Sequence, residues 1–214
     1  MSSNSPHIAV IGAGAAGIAA AKYLLAEGFS VTIIERKAGA GGVWNTAPGN
    51  GYWPSPVYDG LETNVPRTLM TFSDFPWPAN ASLFPTSTSV RQYLQDCLKN
   101  LQQSDSGRSR LSVEYRTEVT DLRKSTYLKA PRWKIESTSR PFGQPPVEEI
   151  SYYSAVVVSI GNYHKSFVPE GLRQSGELSV WEAAFPGSLL HSVDYQKPES
   201  FAGQVGTVFC RLRP

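Results

Sequence analysis

A glycine pattern near the start, Gly12-x-Gly14-x-x-Gly17, constrains the fold of this chain more than any other feature. The residues before it, 7–11, are mostly apolar and β-branched, which predicts a short strand buried on both faces. The residues after it, 15–27, are rich in Ala and Leu and predict a helix. The glycines therefore lie in the turn between a buried strand and a helix.

A second strand completes this first unit. Gly28 is typical of the residue that ends a helix, and residues 30–35 are rich in β-branched side chains and predict a second buried strand. A strand, a helix and a strand in this order predict a βαβ unit with parallel strands. The fold class predicted from this start is α/β.

Each glycine of the pattern has a separate role in a dinucleotide-binding turn. Gly12 permits the tight turn, Gly14 lets a diphosphate approach the backbone, and Gly17 lets the helix pack closely on the strand. The N–H groups at the helix N terminus, from Ala15 and Ala16 onward, would then face the phosphates with the positive end of the helix dipole. The pattern alone is also compatible with a glycine-rich turn in an unrelated α/β fold.

Glu35 stands at the end of the second predicted strand, eighteen residues after Gly17. An acid at this place hydrogen-bonds the ribose hydroxyls of a dinucleotide, and its charge repels a 2′-phosphate. The site is therefore predicted to take FAD or NAD rather than NADP.

The residues after this acid help to separate FAD from NAD. Arg36 follows, and Gly41-Gly42-Val43-Trp44 adds a second glycine pair where an NAD dehydrogenase more often returns directly to a helix. Such a loop favours FAD, because flavoproteins use a loop of this kind along the diphosphate and the flavin. Trp44 is compatible both with flavin contact and with simple packing, and the sequence leaves both interpretations open.

Further along, residues 39–85 predict a long functional loop, because they are rich in Gly, Pro and aromatic side chains. Ser87 to Leu101 predicts a capped helix with Cys97 on its apolar face, which favours a core residue over a nucleophile. The later predicted strands are Leu111–Tyr115, Glu118–Arg123, Trp133–Ser137 and Glu148–Tyr153, in an antiparallel meander, and a fully buried Ala155–Ile160 that ends in a sharp turn at Gly161-Asn162. The whole is predicted to be a Rossmann-like domain, a parallel sheet with an antiparallel β-meander.

Composition and charge disfavour several other classes of protein. The net charge is +2 with Lys and Arg scattered, which does not favour nucleic acid or an anionic membrane as a partner. Two cysteines, Cys97 and Cys210, and three dispersed histidines predict no disulfide framework and no metal site, and they fit a reducing compartment such as the cytoplasm. Three glycines and Lys22 interrupt the apolar run at residues 8–26, so we interpret it as the buried strand and helix rather than a membrane span.

Several segments together resemble the flavin-containing monooxygenase family over residues 7–204. Besides the two glycine segments, these are Thr63-Asn64, Phe72-Ser-Asp-Phe-Pro-Trp-Pro78 and Phe185-x-Gly187-x-x-x-His191-x-x-x-Tyr195. The last is the most specific, because it resembles the family's identifying pattern FxGxxxHxxx(Y/F). In the related Baeyer–Villiger monooxygenases this pattern usually ends in Trp, so Tyr195 favours the branch that oxygenates nitrogen and sulfur. Ser159-Ile160-Gly161 departs mildly from the family's Ala-Thr-Gly.

The resemblance implies an FAD- and NADPH-dependent monooxygenase. In that family NADPH reduces FAD, the flavin holds oxygen from O2 as a C4a-hydroperoxide, and one oxygen atom passes to an amine nitrogen or a sulfide of a small-molecule substrate. Asn64 matches the asparagine beside the flavin and is the expected catalytic residue, with a plain turn residue as its alternative. The expected cofactor-binding residues are Gly12, Gly14, Ala15, Ala16, Gly17, Glu35, Arg36, Gly42, Val43, Trp44, Thr63, Asn64 and Val119, the last through its backbone near the adenine.

Other residues have supporting roles in this resemblance. Residues 72–78 would form a dry cover over the flavin, with Ser73 and Asp74 as hydrogen-bonding loop residues. His191 and Tyr195 are expected to shape the link between the FAD and NADPH domains rather than to transfer protons.

The end of the sequence departs from the family. Family members reach a second GxGxxG, which binds NADPH, soon after a segment like Phe201-Ala-Gly-Gln204. This sequence reads Val205-Gly-Thr-Val-Phe-Cys-Arg-Leu-Arg-Pro214 instead. We therefore expect residues 1–195 to be the FAD-binding segment and residues 196–214 a truncated start of the NADPH-binding domain. The chain would then be an incomplete form of a flavoprotein with two dinucleotide-binding domains, and its tail is compatible with a misspliced reading frame.

Two other functions stay open. One is an FAD-dependent oxidase that needs no NADPH. The other is a catalytically inactive FAD-binding fragment that associates with a homologous full-length chain. A disulfide reductase is disfavoured because Cys97 and Cys210 form no closely spaced redox pair. The sequence does not identify the substrate.

Overall fold

A computed structural model describes residues 5–46, 53, 55–58, 60–125, 132–163, 167–168, 170, 176–184 and 190–203. The strands are β1 (His7–Ile11), β2 (Ser30–Ile34), β3 (Leu111–Glu114), β4 (Thr117–Ser125), β5 (Arg132–Ser139), β6 (Val147–Tyr153) and β7 (Ala155–Val158). The helices are α1 (Ala15–Ala26), α2 (Ser87–Gln103), α3 (Asp105–Arg110) and α4 (Glu177–Ala184). Short 3₁₀ turns lie at Gly42–Trp44, Arg67–Leu69, Ser192–Asp194 and Pro198–Phe201.

A four-stranded parallel sheet forms the centre of this fold, with strand order β3-β2-β1-β7. β1 and β2 lie in the middle, and nearly all of their residues are buried. Their mostly apolar sequences suit this position, because a strand that is covered on both faces has no side facing solvent. The βαβ unit predicted from the glycine pattern is confirmed.

Two cores lie on opposite faces of the parallel sheet. On one face, α1 and α2 pack around residues such as Ile18, Leu25 and Leu98. On the other face lies the antiparallel sheet β4-β5-β6, whose Ile135 and Tyr153 are the buried residues that meet the parallel strands. Successive residues of β1 and β2 alternate between these cores, as the period of a strand requires.

The prediction that residues 111–115 belong to the meander is wrong. β3 pairs in parallel with β2, from Leu111 opposite Val31 to Glu114 opposite Ile34. α2 and α3 lie between these two strands in the chain, and a helical crossover of this kind returns the chain in the same direction. α3 does not appear among the predicted elements; Ser104 Oγ caps it by accepting from Gly107 N at 3.1 Å. The other three predicted meander strands correspond to β4, β5 and β6 and are antiparallel.

β7 is shorter and more exposed than the predicted buried strand at 155–160. It ends at Val158, and Val158 and Ile160 are 57% and 56% exposed. In the described part of the chain, β7 pairs with β1 on one side and has no strand on the other. An apolar sequence does not reveal such an edge position. The predicted sharp turn is confirmed by the φ of +67° at Gly161.

α1 and α2 begin and end close to their predicted positions. Gly28 ends α1 with a φ of +89°, and its N–H donates to Leu25 O at 3.1 Å. At the start of α2, Thr86 Oγ1 accepts from Ser89 N at 3.3 Å. Within the described ranges, no helix is long and apolar enough to cross a membrane.

Cys97 lies on the buried face of α2, as its apolar pattern predicts, and is 5% exposed. Burial raises the pKa of its thiol to about 11, so the unreactive protonated form prevails at pH 8. In a Cys210→Ser variant, whose only thiol is Cys97, we expect no reaction with an aromatic disulfide reagent at pH 8 in the native state. Complete reaction is expected in urea. Rapid labelling of the native chain would contradict this burial.

Because the pKa of Cys97 is raised in the folded chain, the free energy of unfolding depends on pH in the alkaline range. The folded chain keeps a proton on Cys97 that the unfolded chain releases above pH 9.0. The stabilisation from the neutral thiol is therefore complete below pH 9.0 and is lost as the pH rises towards 11.

Candidate dinucleotide-binding site

The turn between β1 and α1 has room only for glycine at two of its three glycine positions. Gly12 has a φ of +103°, and a Cβ there would lie 2.6 Å from Ser159 O. A Cβ on Gly17 would lie 1.9 Å from Gly12 O. The roles predicted for these residues, a tight turn and close packing of the helix, agree with this geometry. We call residues 12–17 the glycine turn.

Gly14 lies in a more open position of the same turn. A Cβ there would meet only Gly42 Cα, at 3.6 Å, and Gly14 is the N-cap of α1, so no side chain caps that helix. Ala15 and Ala16 in the first helical turn are exposed. The first N–H groups of a helix lack partners within it. The surface beside Gly14 therefore offers backbone donors and the positive end of a helix dipole, with no side chain in the way.

Glu35 directly follows β2 and is 5% exposed. Its Oε2 accepts from Ala13 N at 2.7 Å and its Oε1 accepts from Lys37 N at 2.8 Å. The acid is thus fixed against the glycine turn by two backbone donors. Each oxygen keeps a second lone pair, which a ribose hydroxyl could use.

A second loop, residues 39–45, lies against the glycine turn, and we call it the second glycine loop. Gly41 N donates to Ala13 O at 2.9 Å, and a Cβ on Gly42 would lie 3.0 Å from Gly14 Cα. The two predicted glycine segments therefore pack against each other, and the surface at the contact of Gly14 with Gly42 carries no side chain from either residue. We call it the bare glycine surface.

Lys37 and Asn45 hold this second glycine loop from inside. Lys37 Nζ donates to Gly42 O and to Asn45 O, both at 3.0 Å, and Asn45 Nδ2 donates to Gly39 O at 2.8 Å. Burial lowers the pKa of Lys37, and the nearby charge of Glu35 partly offsets this effect. Sequence reasoning did not single out either residue.

Three further predicted residues, Arg36, Val43 and Trp44, each contact a different neighbour. The guanidinium of Arg36 lies 4.3 Å from the centre of the Trp53 ring, a cation–π contact. Val43 O accepts from Ser55 Oγ. Trp44 is partly buried and packs against the core of α1 and α2, which agrees with the packing interpretation and leaves flavin contact a prediction.

Thr63 and Asn64 lie in a turn that is attached to the residues just before α2. Thr63 N donates to Pro85 O at 3.0 Å, and Thr63 Oγ1 donates to Val65 O at 2.9 Å across Asn64. Asn64 is exposed. No hydrogen bond of the described structure joins this pair to the glycine turn, so the catalytic role of Asn64 stays a prediction.

Val119 lies at the other end of the site, where the antiparallel sheet approaches Glu35. Thr117 N donates to Glu35 O at 3.0 Å, two residues before Val119 in β4. The pairing of β4 with β5 shifts register between Val119 and Asp121, and such a bulge re-aims the backbone beside it. Val119 is therefore near the acid that is predicted to bind the ribose, which fits its predicted place near an adenine.

The predicted cover, residues 72–78, packs on α2 through Tyr93. Tyr93 OH donates to Phe75 O at 2.6 Å and accepts from Phe72 N at 2.8 Å, and its ring stacks on Trp77 at 4.2 Å. Asp74 forms an ion pair with Lys22 of α1, which agrees with its predicted role as a loop hydrogen-bonder. Beside the cover and the start of α1, a cleft of about 270 Å³ is lined by Trp44, Phe72, Trp77 and Tyr93 among others.

Ser159 is a further residue whose role the sequence did not show. It follows β7, and both its N and its Oγ donate to Ile11 O at 2.9 Å. Its only sequence feature was the departure from the family's Ala-Thr-Gly. The hydroxyl gives this position an extra hydrogen bond to the start of the glycine turn.

The structure describes only the second part of the pattern from Phe185 to Tyr195 that resembles the family's identifying sequence. Phe185 and Gly187 lie outside the described residues. Nδ1 of His191 accepts from Val193 N at 3.2 Å at the start of a 3₁₀ turn. The ring of Tyr195 lies 5.2 Å from that of Tyr58 and 5.9 Å from that of Phe201. These contacts are structural, and the expected link to an NADPH domain stays a prediction. Among the described residues, no group of three His, Cys, Asp or Glu side chains is placed to hold a metal ion.

Comparison with known families covers nearly the whole chain. The model of the family described as "Flavin-binding monooxygenase-like" matches residues 5–209. The chain belongs to this family. The match extends a few residues beyond Gln204, where the resemblance in the sequence was expected to end.

Similar proteins are known from plants and bacteria. Flavin-containing monooxygenase FMO GS-OX-like 4 of Arabidopsis thaliana is 33% identical over 94% of this chain and 45% of its own length. FMO GS-OX-like 2 of the same plant is 35% identical over 94% of this chain and 43% of its own length. This chain therefore spans less than half the length of these relatives.

Solved structures show the same fold. S-allyl-L-cysteine S-oxygenase from Allium sativum superposes with a TM-score of 0.69 and 30% identity, over 92% of this chain and 44% of that one. A flavin-containing monooxygenase from Stenotrophomonas maltophilia gives a TM-score of 0.64 and 24% identity, over 93% of this chain and 49% of that one.

Membership of a flavin-binding family implies FAD, and the residues of the glycine turn fit its ADP half. The bare glycine surface at Gly14 and Gly42 carries no side chain of its own that would block a diphosphate. Glu35 lies beside it with lone pairs left for ribose hydroxyls. The assignment of individual residues to parts of the cofactor stays a prediction.

Proposed function

We propose that this chain binds FAD through its ADP half and forms the FAD-binding part of an FAD- and NADPH-dependent monooxygenase. One observation carries the proposal. The uncapped N terminus of α1 and the bare glycine surface at Gly14 and Gly42 lie next to a buried acid, Glu35, which is fixed to the same turn. This combination suits a diphosphate joined to a ribose.

Each part of the proposed site has a separate task. The N–H groups at the start of α1 would bind the diphosphate, and Glu35 would accept from the ribose hydroxyls. The backbone near Val119 would meet the adenine. Trp44 and residues 72–78 would keep water away from the flavin end, because aromatic side chains surround the cleft there. Asn64 would hydrogen-bond the reacting end of the cofactor through its amide.

Bound FAD would supply the redox chemistry that activates O2. The proposed substrate is a small molecule with a soft nucleophilic atom, an amine nitrogen or a sulfide sulfur. The sulfide is supported by the 30% identity to a plant protein that is an S-oxygenase of S-allyl-L-cysteine. Use of NADPH is proposed from the resemblance to the family.

The 214-residue chain itself provides the test. We expect the purified protein to be yellow and to release stoichiometric FAD on denaturation. NADPH oxidation that depends on O2 and increases with an added sulfide would support the monooxygenase. Flavin without NADPH oxidation would instead support an oxidase or an inactive FAD-binding chain that associates with a homologue, and mixing with such a homologue would separate these two. A colourless chain that does not bind added FAD would overturn the proposal.

A further inference from the structure

Lys37 is buried to an unusual degree for a lysine in a loop, with 4% of its surface exposed. A buried ammonium group requires hydrogen-bond acceptors, because its charge has left water. Lys37 Nζ has two such acceptors in Gly42 O and Asn45 O, at 3.0 Å each. Its own backbone N donates to Glu35 Oε1. Lys37 thus connects the buried acid to the second glycine loop.

The carbonyl that Lys37 holds belongs to the residue that faces Gly14. Gly42 has a φ of +57°, and a Cβ on it would lie 3.0 Å from Gly14 Cα. In a planar trans peptide the N–H points away from the preceding carbonyl. Because Lys37 draws the Gly42 carbonyl to the inside, the N–H of Val43 is directed to the opposite side of the loop. The lysine therefore sets the orientation of the peptide at the bare glycine surface.

We propose that Lys37 is a positioning residue for the diphosphate, and that it acts by fixing the second glycine loop rather than by touching the ligand. Its near-complete burial leaves almost no surface for direct contact with a ligand on the bare glycine surface. The inference rests on the proposed function, because it assigns a task within the same dinucleotide site.

A comparison of ADP with adenosine separates positioning from simple stabilisation. Adenosine would contact the parts of the site near Glu35 and Val119 but has no phosphates. If Lys37 positions the loop for the diphosphate, its loss weakens binding of ADP and leaves binding of adenosine unchanged. If Lys37 only stabilises the fold, its loss weakens both ligands equally.

The experiment uses the full 214-residue chain and four proteins: wild type, Lys37→Met, Lys37→Arg and the control Lys99→Met, an exposed lysine on α2. ADP binding is measured by calorimetry and adenosine binding by ligand-observed NMR. We expect Lys37→Met to bind ADP about tenfold more weakly or worse, the effect of losing a charged hydrogen bond. Adenosine binding is expected to be unchanged, Lys37→Arg to recover part of the ADP affinity, and Lys99→Met to match wild type.

Two results would overturn the inference: wild-type ADP affinity in Lys37→Met, or an equal loss for ADP and adenosine. If Lys37→Met does not fold, Lys37→Gln takes its place, since it keeps a donor without the charge. A wild-type chain that binds neither ligand would overturn the proposed function itself, before any variant is compared.

Discussion

Gly17→Ala is expected to destabilise the chain severely. Its new methyl carbon would lie 1.9 Å from Gly12 O, a contact with rigid backbone rather than with a side chain that could rotate away. Overpacking of this kind costs about 3 kcal/mol at the upper end of its usual range. For a chain of this size that loss lowers Tm by about 6–12 °C. Thermal unfolding followed by circular dichroism measures it, and no flavin should co-purify.

Gly14→Ala is the matched control for this substitution. Gly14 has a φ of −78°, which alanine adopts freely, and a Cβ there meets only Gly42 Cα at 3.6 Å. We expect its Tm to stay near that of wild type while its affinity for FAD falls, because the methyl group is added to the bare glycine surface that is predicted to meet the diphosphate. Equal Tm values for the two variants would contradict the described packing of α1. Full FAD affinity in Gly14→Ala would contradict the predicted path of the cofactor.

Glu35→Ala is expected to have a similarly large effect, on both stability and binding. It removes the carboxylate that accepts from Ala13 N and from Lys37 N, and both buried donors lose this acceptor. An unsatisfied buried donor costs about 1–3 kcal/mol, so the loss of the acceptor of two donors should lower the free energy of unfolding by about 2–6 kcal/mol. Urea denaturation measures this change. Glu27→Gln, at the exposed end of α1, is the control and should unfold at the same urea concentration as wild type.

Glu35→Gln tests the predicted ribose contact without removing the whole side chain. A carboxylate accepts from both ribose hydroxyls and repels a 2′-phosphate. We therefore expect wild type to bind 5′-ADP far more tightly than 2′,5′-ADP, and Glu35→Gln to reduce this preference. Competition between the two nucleotides measures the ratio. An unchanged preference in Glu35→Gln would show that the acid has only the structural role seen in its two backbone contacts.

The first half of the parallel sheet, β1 and β2, could be predicted because its determinants are local. The glycine pattern, the apolar runs on both sides of it and Glu35 all lie within residues 7–35, and the βαβ unit follows from their order. The parallel pairing of β3 could not be predicted in this way. The alternating sequence of a short strand does not indicate whether the strand joins a parallel or an antiparallel sheet. The exposure of β7 also depends on neighbours that its sequence does not specify.

In the candidate site, too, the residues that could be predicted are those whose roles depend on local sequence. Gly12, Gly14 and Gly17 were predicted from chemistry that the local sequence contains. Lys37 was missed, because a lysine in a glycine-rich loop is usually exposed, and only the folded loop shows that two carbonyls surround it. Asn64 was predicted from family likeness alone, and the structure places it in an exposed turn.

The contact of Ser159 with the glycine turn has a consequence for biosynthesis. Ser159 Oγ bonds to Ile11 O across 148 positions of sequence. Chains emerge from the ribosome N terminus first, and contacts between distant segments form late and slowly. The first strand and its turn are therefore synthesised 148 residues before Ser159, the residue that bonds to them. In that interval the apolar edge of β1 that β7 later occupies is open, and a chaperone that shields exposed strands would have most effect then.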